Sequence, residues 1–98
     1  MEAIPRIATV LHHYKVDIDT WSADMAETHM TLGDRMFLHE HLADMTTAQR
    51  AELACADALA VATYARCHSD EEDPYGDIRY LGEIVAVIES ERAEESKP

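Results

Sequence analysis

Apolar residues recur at helical spacing near the start of the chain. Ile7, Leu11, Tyr14 and Ile18 follow one another at steps of four, three and four residues, which places them on one face of a helix. Proline is well suited to the first position of a helix. We therefore predict a first helix from about Pro5 to Tyr14. Apolar and acidic residues alternate over 16–19, and this alternation predicts an extended link or a frayed helix end.

A second stripe of apolar and histidine residues predicts a long second helix, from about Trp21 to Asp44. Its members lie at steps of three or four residues: Trp21, Met25, His29, Leu32, Met36, His39 and Ala43. Asp19 or Thr20 can cap the start of this helix with a side-chain oxygen. Gly33 lies inside the pattern and predicts a kink there, because glycine costs about 1 kcal/mol relative to alanine in a helix interior.

The sequence from Thr46 to Gln49 has the form of a capping box and predicts the start of a third helix, which runs to about His68. Small residues recur along it and predict a ridge that lets another helix approach closely: Ala51, Ala54, Ala58, Ala62 and Ala65. Larger apolar residues occupy much of the remaining circumference. Apolar surface on several sides indicates a central helix, or one that is shared with a second subunit.

Residues 69–77 contain an acidic run followed by Pro74, Tyr75 and Gly76, which is typical of a turn. Asp77 can cap a fourth helix, predicted from Ile78 to about Ala93, and residues 94–98 predict a disordered acidic tail. The sequence as a whole therefore predicts an all-α protein. We expect a compact bundle of about four helices, one of them kinked at Gly33, in a single domain over residues 1–93.

Net charge narrows the choice of partner. The chain has 98 residues, with 20 acidic against 8 basic side chains and a net charge of −12. Such a field repels nucleic acid and anionic membranes and attracts basic surfaces. The last thirty residues carry the stronger field, so we predict that the partner-binding side chains lie there. The candidates are Asp70, Glu71, Glu72, Asp73, Asp77, Glu83, Glu89 and Glu91.

The leading functional hypothesis is a non-enzymatic protein that regulates or inhibits a partner protein with a basic surface. A narrower version is a nucleic-acid mimic, comparable to small inhibitors of restriction or CRISPR nucleases, whose carboxylates would occupy a groove built for phosphates. An accessory subunit of a larger enzyme is an alternative, with contact through an apolar patch such as Trp21, Met25 and Met36. A homodimer is a further expectation. Direct binding of nucleic acid or membrane is not expected.

Six histidines raise a second alternative, an oligomeric bundle with a His/Glu metal site for storage, sensing or redox work. Its candidate ligands are Glu27, His29, His39 and Glu40. Di-metal bundles normally use Glu-x-x-His on paired helices, and that pattern is absent here. His39 and His41 are separated by ~200° around a regular helix and cannot share one ion. We therefore expect structural histidines, with no metal and no other cofactor.

The remaining chemical residues favour structural roles. No cofactor fingerprint or complete catalytic set is present, so we expect no enzymatic activity. Asp57 stands alone in an apolar stretch, where it can be a functional carboxylate or a structural one. We favour the structural role, facing solvent or paired with Arg50. Cys55 and Cys67 lie ~18 Å apart on one helix, too far for a disulfide, and two free thiols favour the cytoplasm.

Overall fold

The computed structural model describes residues 3–67 and 72–95, and over these ranges the chain forms four α-helices and one short 3-10 turn. The elements are α1 (Ala3–Asp19), α2 (Thr28–Glu40), the turn Leu42–Asp44, α3 (Thr47–Ala65) and α4 (Asp77–Glu95). The predicted all-α bundle of four helices is confirmed. No helix in the described ranges combines the length and the apolar character that crossing a membrane requires.

The helices contact one another in a ring. Helix α1 packs against α2 and α3, and α4 packs against the same two helices on the opposite side of the bundle. One apolar core lies inside this ring and takes side chains from every helix. Its members are Ile7, Leu11, Tyr14, Ile18, Leu38, Met45, Leu53, Ala56, Ala60, Leu81, Ile84 and Ile88.

Helix α1 is longer than the sequence pattern suggested. Residues 16–19 were expected to be extended or frayed, but they continue the helix to Asp19. Ile18 is 2 % exposed and extends the buried face of Ile7, Leu11 and Tyr14. Burial of a large apolar side chain is worth about 1.5–3 kcal/mol, which outweighs the local alternation of apolar and acidic residues.

Helix α2 begins at Thr28, seven residues later than the predicted start at Trp21, and ends at Glu40 rather than Asp44. An irregular loop precedes it, in which Ala26 adopts a left-handed backbone with a φ of 62°. Two side chains, those of Asp77 and Trp21, secure this loop by hydrogen bonds. The carboxylate of Asp77 accepts hydrogen bonds from the backbone N–H groups of Ala26 and Thr28, at 3.0 and 3.2 Å. Trp21 Nε1 donates to Thr28 Oγ1 at 2.9 Å.

The buried face of α2 also differs from the predicted stripe. The buried residues are Thr28, Thr31, Arg35 and Leu38, whereas His29, Met36 and His39 of the predicted stripe are exposed. The helix faces inward with its polar side because Arg35 and the threonines find partners there. Gly33 does not break the helix, which runs through it without interruption.

Helix α3 begins as predicted. Thr46 Oγ1 accepts from the Gln49 N–H at 3.0 Å, and the Gln49 side chain accepts from the Thr46 N–H at 2.9 Å, so the capping box is confirmed. The helix ends at Ala65, and His68 lies outside the described residues. The alanine ridge is not buried in the core. Its five members are exposed, and the opposite side of α3, with Leu53 and Ala60, faces the core.

Helix α4 is capped by a different aspartate from the one predicted. Asp73 accepts from the N–H groups of Ile78 and Arg79 at 2.9 and 3.2 Å, while Asp77 is buried and binds the loop before α2. The helix continues to Glu95, so the predicted tail does not begin at residue 94. Residues 96–98, the rest of that tail, lie outside the described ranges.

The surroundings of Gly33 generate a prediction about stability. A Cβ placed on Gly33 would meet nothing within 4 Å. Gly33→Ala should therefore stabilise the protein by about 0.5–1 kcal/mol, because alanine loses less backbone entropy in a helix. Gly76→Ala is the contrasting variant. Gly76 has a φ of 76°, so this variant should be destabilised. Urea unfolding measures both, and a less stable Gly33→Ala protein would contradict this description of α2.

Candidate functional site

A buried network of charged side chains joins all four helices. Arg35 of α2 has no exposed surface, and its Nε and Nη2 donate to the two carboxylate oxygens of Asp57 on α3, at 3.0 and 2.9 Å. The same Nη2 donates to Glu91 of α4 at 2.6 Å. Tyr14 of α1 donates its hydroxyl to Asp57 at 2.7 Å. His39 Nδ1 lies 2.7 Å from the other Glu91 oxygen and completes the network.

The ionised groups of the network stabilise one another. Burial alone would lower the pKa of Arg35, but its hydrogen bonds with Glu91 and Asp57 raise it, so the guanidinium stays charged. Burial and the neighbouring Asp57 carboxylate raise the pKa of Tyr14. Burial would raise the pKa of Glu91, yet its hydrogen bonds with Arg35 and His39 lower it. Each charged group is held by another, which is the arrangement of a structural centre.

Asp57 is paired with an arginine, but the partner is Arg35 and not the predicted Arg50. It is 6 % exposed and binds Arg35 and Tyr14, whereas Arg50 donates to the backbone oxygen of Leu42 at 2.6 Å. Arg35 Nη1 is buried without a hydrogen-bond partner among the described residues. An unpaired buried donor costs about 1–3 kcal/mol. The network that connects the helices therefore also carries a destabilising contribution from Nη1.

The acidic residues predicted to bind a partner differ in their surroundings. Glu72, Glu83 and Glu89 are exposed. Asp73 is engaged as the cap of α4, and the expectation that Asp77 and Glu91 present free carboxylates is wrong, because Asp77 is 1 % exposed and Glu91 is bound to Arg35. Asp70 and Glu71 lie outside the described residues.

The candidate metal ligands do not come together. Among residues 3–67 and 72–95, no group of three or more histidine, cysteine or acidic side chains is placed to hold a metal ion. His39 is engaged with Glu91, and the ring of His29 lies 6.0 Å from that of Tyr80. Glu27 and Glu40 are exposed at opposite ends of α2.

The outer side of α2 carries an apolar surface that surrounds Gly33. We call it the Gly33 face, and define it as His29, Met30, Gly33, Met36 and Phe37. The other four residues are the helical neighbours of Gly33, three or four positions away. Met30 is 61 % exposed and Met36 is 42 % exposed. The sequence pattern assigned Met36 to the buried stripe, but the inward turn of Arg35 places the methionines on the surface.

No protein-family model, curated protein or solved structure matches this chain. Function must therefore be inferred from the arrangement of its own residues. The buried network explains how the bundle is held together. Within the described residues, the Gly33 face is one surface feature that the fold itself does not explain.

Removal of Arg35 should have a large effect on stability. Arg35→Met leaves Asp57 buried without its cation, and breaking a buried ion pair in this way costs about 3–5 kcal/mol. Arg35→Lys should recover only part of the loss, because one ammonium group cannot reproduce the paired contacts with Asp57 and also reach Glu91. Urea unfolding at pH 7 measures the three proteins. Arg66→Met, at an exposed position, is the control, and an Arg35→Met protein as stable as this control would refute the role of the network.

The stability supplied by Glu91 should depend on pH. Its folded pKa is lowered by the hydrogen bonds with Arg35 and His39. Its contribution is therefore fully present above the unfolded carboxyl pKa of ~4.3 and disappears as the pH falls through the lower folded pKa. The difference in unfolding free energy between wild type and Glu91→Gln should be largest near neutral pH and shrink below about pH 4. Exposed Glu83→Gln is the control, and a difference that does not change with pH would be inconsistent with this assignment.

Proposed function

We propose that the protein is a non-enzymatic binding protein, and that its Gly33 face docks on a partner protein with a basic surface. The observation that carries this proposal is the exposed apolar surface around an unobstructed glycine in the middle of α2. A regulatory or inhibitory role follows if the occupied partner surface is one that the partner needs.

The apolar centre of the Gly33 face is suited to contact with another protein. Methionine side chains adapt to different partner shapes and are common at binding surfaces. Glycine inside a helix lowers stability, and no side chain within 4 Å of the position requires it here. A missing side chain does, however, let a partner's side chain approach the helix backbone. Binding therefore explains the glycine at position 33, whereas folding does not.

The charge around the Gly33 face favours a basic partner. Asp34 and Glu40 lie beside it on α2, and Arg6 of α1 lies over the Phe37 ring at 5.1 Å from its centroid, so acidic side chains outnumber the one arginine there. Burial and the nearby Asp17 raise the pKa of Asp34, with His13 opposing them. The ionised Asp34 is therefore unfavourably placed, and a partner's arginine or lysine would relieve that cost. An apolar centre with a charged rim is the usual composition of a protein interface.

Two narrower versions predict different behaviour. A nucleic-acid mimic would occupy a groove that binds phosphates, so nucleic acid would compete with it and salt would weaken the complex steeply. An accessory subunit would bind mainly through the methionines and resist salt. The apolar centre supports the second version and the net charge of −12 supports the first. A cytoplasmic location, favoured by free Cys55 and Cys67, belongs to the same proposal.

The proposal predicts which surface change abolishes binding. Tagged wild-type protein should retain a basic partner from lysate of its host, and the double variant Met30→Gln/Met36→Gln should bind that partner at least tenfold more weakly. Loss of ~1.4 kcal/mol, well within the range for an interface anchor, gives this factor. Binding is then measured with the purified partner, with and without nucleic acid as a competitor and over a salt series.

Tyr75→Gln is the matched control, because Tyr75 is also an exposed large apolar residue, at 59 %, but lies in the turn before α4. Its binding should equal that of wild type. The proposal fails if every retained protein binds the methionine variant as well as wild type, or if the protein that depends on Met30 and Met36 has an acidic surface.

A further inference from the structure

A second surface on the bundle, between α1 and α3, is also apolar. The two helices leave an open groove of about 520 Å³, whose apolar lining includes Val16, Cys55 and Leu59. Val16 is 45 % exposed and Leu59 is 36 % exposed. This groove lies on the side of the bundle away from the contact between α2 and α4.

The outer side of α3 extends this groove with a surface that carries no formal charge. From Leu53 to Tyr64 the only acidic or basic side chain is Asp57, and Asp57 is buried. Ala58 and Ala62 are exposed on the same stretch. A helix that faces water normally presents polar side chains there. In a chain with 20 acidic residues, a charge-free exposed helix side is unexpected for a protomer that stays alone in solution.

We propose that this groove binds the same groove of a second copy of the chain, in a two-fold symmetric dimer. Such an interface uses one patch twice and must therefore be complementary to itself. The rim of the groove meets this condition. Lys15 on α1 and Glu52 on α3 form a salt bridge of 2.9 Å across it, and His12 and Asp19 also line it, so the patch holds both basic and acidic side chains.

Electrostatics distinguish this surface from the Gly33 face. Two copies that met through the Gly33 face would bring Asp34 and Glu40 of each copy together, and like charges at an interface are unfavourable. Across the groove, Lys15 of one copy can face Glu52 of the other. The second copy therefore fits the groove, which leaves the Gly33 face free for a basic partner.

The modest area of the α1–α3 face leads us to expect weak dimerisation. Helices α1 and α3 side by side span about 20 Å, and α3 is about 28 Å long. That face is near the lower limit of specific interfaces, so we expect association in the micromolar range. Salt should strengthen the dimer, because it screens the repulsion between two chains of charge −12 each. A complex with a basic partner has the opposite salt dependence.

The test is the molar mass of the full chain by sedimentation equilibrium, from 1 to about 500 µM. Wild type should shift from the 11.0 kDa monomer towards twice that mass as concentration rises, and more readily at high salt. Cys55→Glu should remain monomeric throughout, because Cys55 is exposed and lines the groove, so the variant places a carboxylate inside the interface. Ala93→Glu, at an exposed position of α4, is the matched control and should dimerise like wild type.

Exchanging the charges of Lys15 and Glu52 tests whether these two side chains face each other across the dimer. Lys15→Glu and Glu52→Lys should each weaken the dimer several-fold, and the double variant should restore it, because the opposed charges are then exchanged rather than lost. Circular dichroism checks that each variant remains helical. The proposal is overturned if wild type stays monomeric at the highest concentration, if Cys55→Glu dimerises as well as Ala93→Glu does, or if the double variant is no better than the single ones.

Discussion

The guanidinium of Arg35 lies inside the bundle and binds Asp57 of α3 and Glu91 of α4 at the same time. Tyr14 of α1 donates to the same Asp57, so one cation connects side chains from all four helices. Taking these ions out of water is costly, and the cost is offset only when the geometry is good. We infer that the network specifies how the helices are placed, because any other arrangement would leave a buried charge without its partner.

This centre also explains why the sequence revealed the number of helices but not the orientation of α2. Periodic apolar residues identified α1, α3 and α4, and the capping box at Thr46 located the start of α3. In α2 the apolar stripe through Met36 had the right period but the wrong phase. Hydrophobic patterning assigns apolar side chains to the interior, whereas here Thr31 and Arg35 are inside. Pairing between distant residues, 22 positions apart for Arg35 and Asp57, cannot be seen in local patterns.

The sequence predicted the negative electrostatic field of the acidic residues, but not which of their carboxylates are engaged within the fold. Asp77 and Glu91 belong to the set of acidic residues that suggested a partner surface. In the fold, however, Asp77 secures the loop before α2 and Glu91 pairs with Arg35. Which carboxylates remain available depends on tertiary contacts. Gly33 did carry a signal in the sequence, since Met30 and Met36 lie three residues on either side of it. That spacing became informative only once the helix was known to be continuous and exposed there.

Burial of Arg35 and exposure of the methionines are two consequences of one rotation of α2. If Arg35 faces the core, Met30 and Gly33 must face solvent, and the surface available to a partner follows from that choice. The groove between α1 and α3 is independent of it. The bundle therefore has two apolar surfaces with different rims: Asp34 and Glu40 lie beside Gly33, whereas Lys15, Asp19 and Glu52 line the groove.

The most direct test of this account is the hydrogen-exchange rate of the Arg35 Nε–H, measured by nuclear magnetic resonance. A buried N–H that is bound to Asp57 should exchange as slowly as the backbone amides of Leu81 and Ile84 in the core, because exchange then requires the bundle to open. The Nε–H of exposed Arg66 should exchange rapidly in the same sample. If Arg35 exchanges as fast as Arg66, the guanidinium is in water, and both the buried network and the orientation of α2 described here are wrong.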